Sequence, residues 1–117
     1  MSASHRRCPW SPLALATLLA VALALTAASS HVRGTRLEVQ DWDCPPDPAS
    51  CARPVVVRGF PFPYISDYHG ISPVGDATLI DALLGVDLFH AGAFCANVGV
   101  YLALAAGAWR ALRPPRP

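Results

Sequence analysis

Two long apolar stretches frame a short polar middle. From Cys8 to Val32, and again from Leu88 to Trp109, no residue carries a charge, and both stretches are rich in Ala, Leu and Val. The first has its apolar core at Leu13–Ala28. That core matches the upper limit of a signal-peptide hydrophobic region, and with Trp10 to Ser29 included it is long enough for a spanning helix. Thr26-Ala27-Ala28 followed by Ser29-Ser30 also meets the small-residue rule for cleavage after Ala28. An uncleaved anchor and a cleaved leader therefore both stand, and both export the polar middle. The second stretch holds 22 residues from Leu88 to Trp109 and reaches about 33 Å as a helix, enough to cross a bilayer. Pro114 and Pro115 forbid its continuation.

Between them the period changes. Thr35–Asp41 alternates, with Leu37 and Val39 on one side and Glu38 and Gln40 on the other, which predicts a half-buried strand. The β-branched run Pro54–Arg58 predicts a second one. A proline-rich turn bounded by Cys44 and Cys51 joins them. From Ile71 to Gly85 the placement of Leu79, Ile80, Ala82, Leu83 and Leu84 predicts a short amphipathic helix on the membrane surface, with Asp76 and Asp81 toward water.

Charge turns this pattern into a topology. All eight acids lie between Glu38 and Asp87, whereas the tails carry only arginines: Arg6 and Arg7, then Arg110, Arg113 and Arg116. Arginine stays on the cytoplasmic side of membrane segments, so both termini are expected inside and the middle outside. The predicted organisation is a cytoplasmic N-terminus (1–9), a first transmembrane helix or signal peptide (10–29), an extracytoplasmic loop (30–87), a second transmembrane helix (88–109) and a cytoplasmic tail (110–117). The fold class is α-helical membrane protein, a hairpin of two transmembrane helices whose small outer loop can hold a disulfide-pinned β-hairpin. Its location is the inner (plasma) membrane. The chain has no lysine and twelve prolines, a GC-rich bias, yet a random reading frame would not segregate charge this way. An acidic middle excludes nucleic acid as partner, because phosphate binding needs clustered cations.

Candidate chemistry is sparse. On the second helix Ala91, Cys95, Gly99, Ala103 and Gly107 recur every four residues, a ridge of small side chains that lets another helix approach closely. The first helix offers a comparable row at Ala16, Ala20, Ala24 and Ala28. Opposite the ridge, His90, Phe94, Asn97 and Tyr101 fall within about 60° of arc. The polar members, His90, Asn97 and Tyr101, either contact a partner helix or bond locally. In an exported loop Cys44 and Cys51 are expected to form a disulfide, stabilising by about 2–3 kcal/mol. A metal site would need further ligands from His31, His69, Asp41, Asp43 or Asp47, and the spacing is no zinc signature. Redox catalysis would need CxxC, and Asp67 with His69 lacks a nucleophile. Neither catalytic residues nor a cofactor are expected.

The string Arg58-Gly59-Phe60-Pro61-Phe62-Pro63-Tyr64 is the most distinctive local feature. Its prolines bias Phe60 and Phe62 to extended backbone, and Gly59 permits a sharp turn. So many rings in so small a loop are expected to lie outside its core, in the headgroup layer or in a partner's groove. The string and the span after it, roughly 50 residues together, resemble small uncharacterised bacterial two-span inner-membrane proteins with an Arg-Gly-Phe-Pro-type string before the second span. That resemblance implies a bacterial membrane location and carries no catalytic residues. The Cys44–Cys51 pair departs from its pattern. The expected function is a non-enzymatic accessory or interaction subunit whose partners are the bilayer and another membrane protein or a second copy. The alternatives are a signal-cleaved, single-span envelope protein with an exported binding domain, and an envelope redox or metal enzyme.

Overall fold

The computed structural model describes residues 11–39, 52–67 and 76–113. Among these residues seven elements succeed one another: α1 (Pro12–Ser29), β1 (Arg33–Val39), β2 (Ala52–Arg58), β3 (Ile65–Ser66), α2 (Leu79–Leu83), β4 (Leu88–Phe89) and α3 (Ala91–Leu112). The protein is rich in helix, and an antiparallel sheet sits between its two long helices in the chain.

Helix α1 starts where Ser11 accepts the Ala14 N–H at 3.2 Å and Pro12 occupies the first turn. A serine cap and a proline without an N–H suit that position. At its other end, Ser30, His31 and Val32 donate to Ala27, Ala28 and Ser29, three tightened turns that use up the last carbonyls. The chain then passes directly into β1.

Strands β1 and β2 form the expected hairpin, antiparallel from Arg33↔Arg58 to Val39↔Ala52, inside a four-stranded sheet of order β1-β2-β3-β4. Gly59 donates to Val32 at 3.1 Å, so by the alternation of antiparallel ladders Leu37↔Pro54 is a pair without mutual hydrogen bonds. A proline fits there on the β1 side. On its other side β2 bonds β3 through Arg58 and Val56, which accept from Tyr64 and Asp67. The burial differs from the alternation read in β1. Leu37 is 68% exposed, and among the described hairpin side chains Val55 and Val57 are buried. The Cys44–Cys51 bridge lies outside the described residues.

The core joins the sheet to the helices. Tyr64, Ile65, Ala77 and Ala82 are buried together, with Leu79, Ala93 and Phe94 packed against them. Tyr64 meets Phe94 and Phe89 edge-on, at 5.2 and 6.1 Å between centroids, geometry that aromatic quadrupoles favour. The apolar run Leu88–Trp109 is thereby divided. Leu88 and Phe89 pair with Ser66 and Ile65 as β4, and the helix begins at Ala91 and continues to Leu112. Of the described part of the expected amphipathic segment, Leu79–Leu83 forms α2, capped by Thr78, whose hydroxyl accepts the Asp81 N–H. Ala82 faces the core, while Ile80, Leu83 and Leu84 are exposed. Asp76 is exposed and pairs with Arg58, but Asp81 is half-buried and accepts the Thr78 hydroxyl rather than facing water alone.

Helices α1 and α3 lie antiparallel. Ser11 to Leu18 share a cavity with Trp109 and Arg113 at one end, and Thr26 and Ser29 approach the sheet at the other. Leu18, Ala22 and Thr26 are the buried face of α1, not the row Ala16, Ala20, Ala24 and Ala28, which is exposed. Both helices are long and apolar enough to cross a membrane, with only 22% and 6% of their apolar windows buried inside the protein.

Candidate functional site

The Arg58–Tyr64 string enters the cleft between α1 and α3 where they meet the sheet. Gly59 adopts φ 113°, and a Cβ there would collide with the Tyr64 ring. Only glycine tolerates both conditions. The Phe60–Pro61 peptide is cis. Because Pro61 and Pro63 have no N–H, the only amide donors from Phe60 to Pro63 belong to Phe60 and Phe62. Both are taken by helix side chains. Ser29 Oγ accepts the Phe60 N–H at 3.4 Å, and Asn97 Oδ1 accepts the Phe62 N–H at 3.0 Å.

The carbonyls of the same two residues are matched in turn. Asn97 Nδ2 donates to the Phe62 carbonyl at 2.7 Å, and the Tyr101 hydroxyl donates to that of Phe60 at 2.8 Å. Asn97, fully buried, thus bonds both backbone groups of one residue, as a neighbouring strand would. Irregular backbone beside apolar helices is stable only when its polar groups are satisfied in this manner.

Tyr64 closes the string. Its ring is fully buried, and its hydroxyl donates to the Thr26 carbonyl at 2.7 Å, which also accepts Ser29 Oγ. This corrects the expectation that all these rings lie outside the core. Tyr64 is the largest fully buried side chain, whereas Phe60 and Phe62 are 56% and 49% exposed. The difference stems from backbone direction, since bonding at Phe60 and Phe62 turns their main chain inward and their rings outward.

Of the polar stripe, Asn97 and Tyr101 therefore bond locally, and His90 Nε2 lies 2.8 Å from Ser66 Oγ while the His90 backbone N–H donates to the Tyr64 carbonyl. Such a Ser–His distance is that of a nucleophile and base, and Ser66 is only 3% exposed. Arg58 is engaged by Asp76. The ridge residues Ala91, Cys95, Gly99, Ala103 and Gly107 are all exposed, and Cys95 is a free thiol. Among the described residues, a Cβ added at Gly99 or Gly107 would meet nothing within 4 Å. Of the residues weighed as metal ligands, His31 is exposed and Asp41, Asp43, Asp47 and His69 lie outside the described residues. Among the described residues no group of three His, Cys, Asp or Glu could hold a metal ion.

Sequence reasoning missed Thr26, Ser29 and Ser66. The first two stood out only as small residues near a cleavage motif. Their signal was present nonetheless, as two hydroxyls at one end of an apolar helix facing the Phe60–Pro63 stretch, which has only two amide donors. No protein-family model, curated protein or solved structure matches the chain.

Proposed function

We propose that this protein is a small two-span membrane subunit, both termini cytoplasmic, that binds another membrane helix through the small-residue ridge of α3. The observation that carries this reading is the division of labour on α3. One face, with Phe94, Asn97 and Tyr101, is occupied by the string and α1, and the ridge from Ala91 to Gly107 is open along its whole length. In lipid, close backbone approach over small residues drives helix association, because apolar burial adds little there. Leu13 at 77%, Leu104 at 65% and Leu112 at 82% exposure support contact with lipid, since water would penalise so many bare apolar side chains.

Retention of α1 is favoured over its removal. Cleavage after Ala28 would take away the Thr26 carbonyl that receives the buried Tyr64 hydroxyl. The test of the interface is Gly99→Leu with Ala103→Leu. Both positions are exposed, so the monomer is expected to fold and insert normally while crosslinked or detergent-stable assemblies fall at least about tenfold. Assemblies that survive intact would remove the ridge from consideration.

A further inference from the structure

The Phe60–Pro63 stretch is held against α3 well inside the outer end of that helix. Its partners Asn97 and Tyr101 come six and ten residues after Ala91, about 9 and 15 Å along the axis at the usual helical rise. Helical side chains lean toward the N-terminus, so the stretch itself sits up to about one turn nearer that end. A hydrocarbon layer of about 30 Å, measured outward from Trp109 as the inner anchor, ends about twenty residues earlier, near Phe89. The stretch therefore falls below that boundary.

Its chemistry suits this depth. From Gly59 to Ser66 the chain carries no charge. Both amide N–H groups of Phe60–Pro63, and the carbonyls of Phe60 and Phe62, are bonded to helix side chains. A loop in water has solvent for those bonds, whereas non-helical backbone at membrane depth must have its polar groups enclosed by protein. The Phe60 and Phe62 rings project outward and are exposed, so the side of the stretch turned away from the helices is apolar and bare.

We propose that Phe60–Pro63 is a re-entrant segment whose two phenyl rings lie against acyl chains of the outer leaflet. The inference rests on the two-span reading. Acyl chains fit this face better than a second helix does, because close helix approach needs small side chains, and here two rings stand in the way. That approach is open on the ridge of α3 instead, where a Cβ at Gly99 or Gly107 would meet nothing among the described residues. Exposed apolar side chains at this end of the helix pair are not confined to the string. Leu79 and Ile80 share a cavity with Ala27 and Ala28 at the end of α1, and Ile80, Leu83 and Leu84 are bare on α2, as in a helix resting on a bilayer surface. The perimeter is thereby divided, with lipid against the rings and a partner helix against the ridge.

The test uses the full chain with Trp10→Phe, Trp42→Phe and Trp109→Phe, which removes every native indole. One indole is then restored by Phe60→Trp, by Phe62→Trp or, as the aqueous reference, by Leu37→Trp. Each protein is reconstituted in phosphatidylcholine vesicles whose lipid is brominated on the acyl chains or, in parallel, spin-labelled on the headgroup. At positions 60 and 62 the acyl bromines are expected to quench at least about threefold more than at position 37, and iodide at least about threefold less. Stronger quenching by the headgroup label than by the bromines overturns the re-entrant depth. Iodide quenching equal to that of Leu37→Trp overturns the lipid contact. So does silence from all three quenchers, which means that protein covers the rings. The unaltered chain gives a second reading that no substitution disturbs. A phospholipid carrying a photoactivatable diazirine on its acyl chain should leave adducts on Phe60 or Phe62, and adducts on the spans with none on this stretch overturn the proposal. Carbonate extraction separates the two levels. Protein stripped from the bilayer refutes the spans and the re-entrant segment together, whereas retained protein with rings open to iodide refutes the segment alone.

Discussion

A buried carboxamide in an apolar helix is costly unless both its donor and its acceptor are used, and Asn97 uses both on Phe62. Asn97→Leu strands the Phe62 N–H and carbonyl between the helices and should destabilise by about 2–4 kcal/mol. Tyr101→Phe removes one bond, to the Phe60 carbonyl, and should cost about 1 kcal/mol. Thermal unfolding in detergent reads both, and equal midpoints for Asn97→Leu and the parent would mean the string is not held by that amide. Two glycines give an internal contrast. Gly59→Ala meets the Tyr64 ring at a positive φ, whereas Gly99→Ala meets nothing among the described residues. The first should therefore lower the unfolding midpoint clearly and the second leave it nearly unchanged. Such positions are hard to read from sequence. Gly59 and Gly99 are both glycines in apolar surroundings, and only φ and the nearest atoms separate a required one from an open one.

Among the elements, α1 is a structural partner as well as an apolar segment. Leu18, Ala22 and Thr26 bury against α3 and the string, and Ser29 reaches Phe60. If α1 is retained, intact-mass measurement of the membrane-extracted protein should find the sequence N-terminal to Ser29 still attached. A mature chain beginning at Ser29 would select the single-span alternative. The existence of both helices and of the β1–β2 hairpin was legible, because each arises from a local period or an apolar length. The boundary of α3 was not. Leu88 and Phe89 are as apolar as the helix they precede, but pairing with Ser66 and Ile65 draws them into the sheet. The contact face of α1 was also misjudged, since the alanine row and the Leu18–Ala22–Thr26 row share the same spacing two residues apart. What chose between them was the Tyr64 hydroxyl, which needs the Thr26 carbonyl.

For the whole molecule, the two-span proposal makes a testable statement about the side of the membrane each segment occupies. Reporter fusions after Arg113 should be active in the cytosol, and insertions at Trp42 should report the outer side, as expected when the only charged residues of the tails are arginines and all eight acids lie between them. A cytosolic signal at Trp42 would reverse the orientation. Local order along the chain was sufficient to reveal the two apolar helices, the hairpin, the segregation of charge and the unusual Arg58–Tyr64 string. These properties depend on residue type and short-range period, which folding does not alter. Three-dimensional contact decided the rest: that Tyr64 is core while Phe60 and Phe62 are surface, that Asn97 and Tyr101 serve the string, and that the ridge stays open. Those outcomes turn on hydrogen bonds between residues more than thirty positions apart, and backbone groups that leave water must find such partners wherever the chain can bring them.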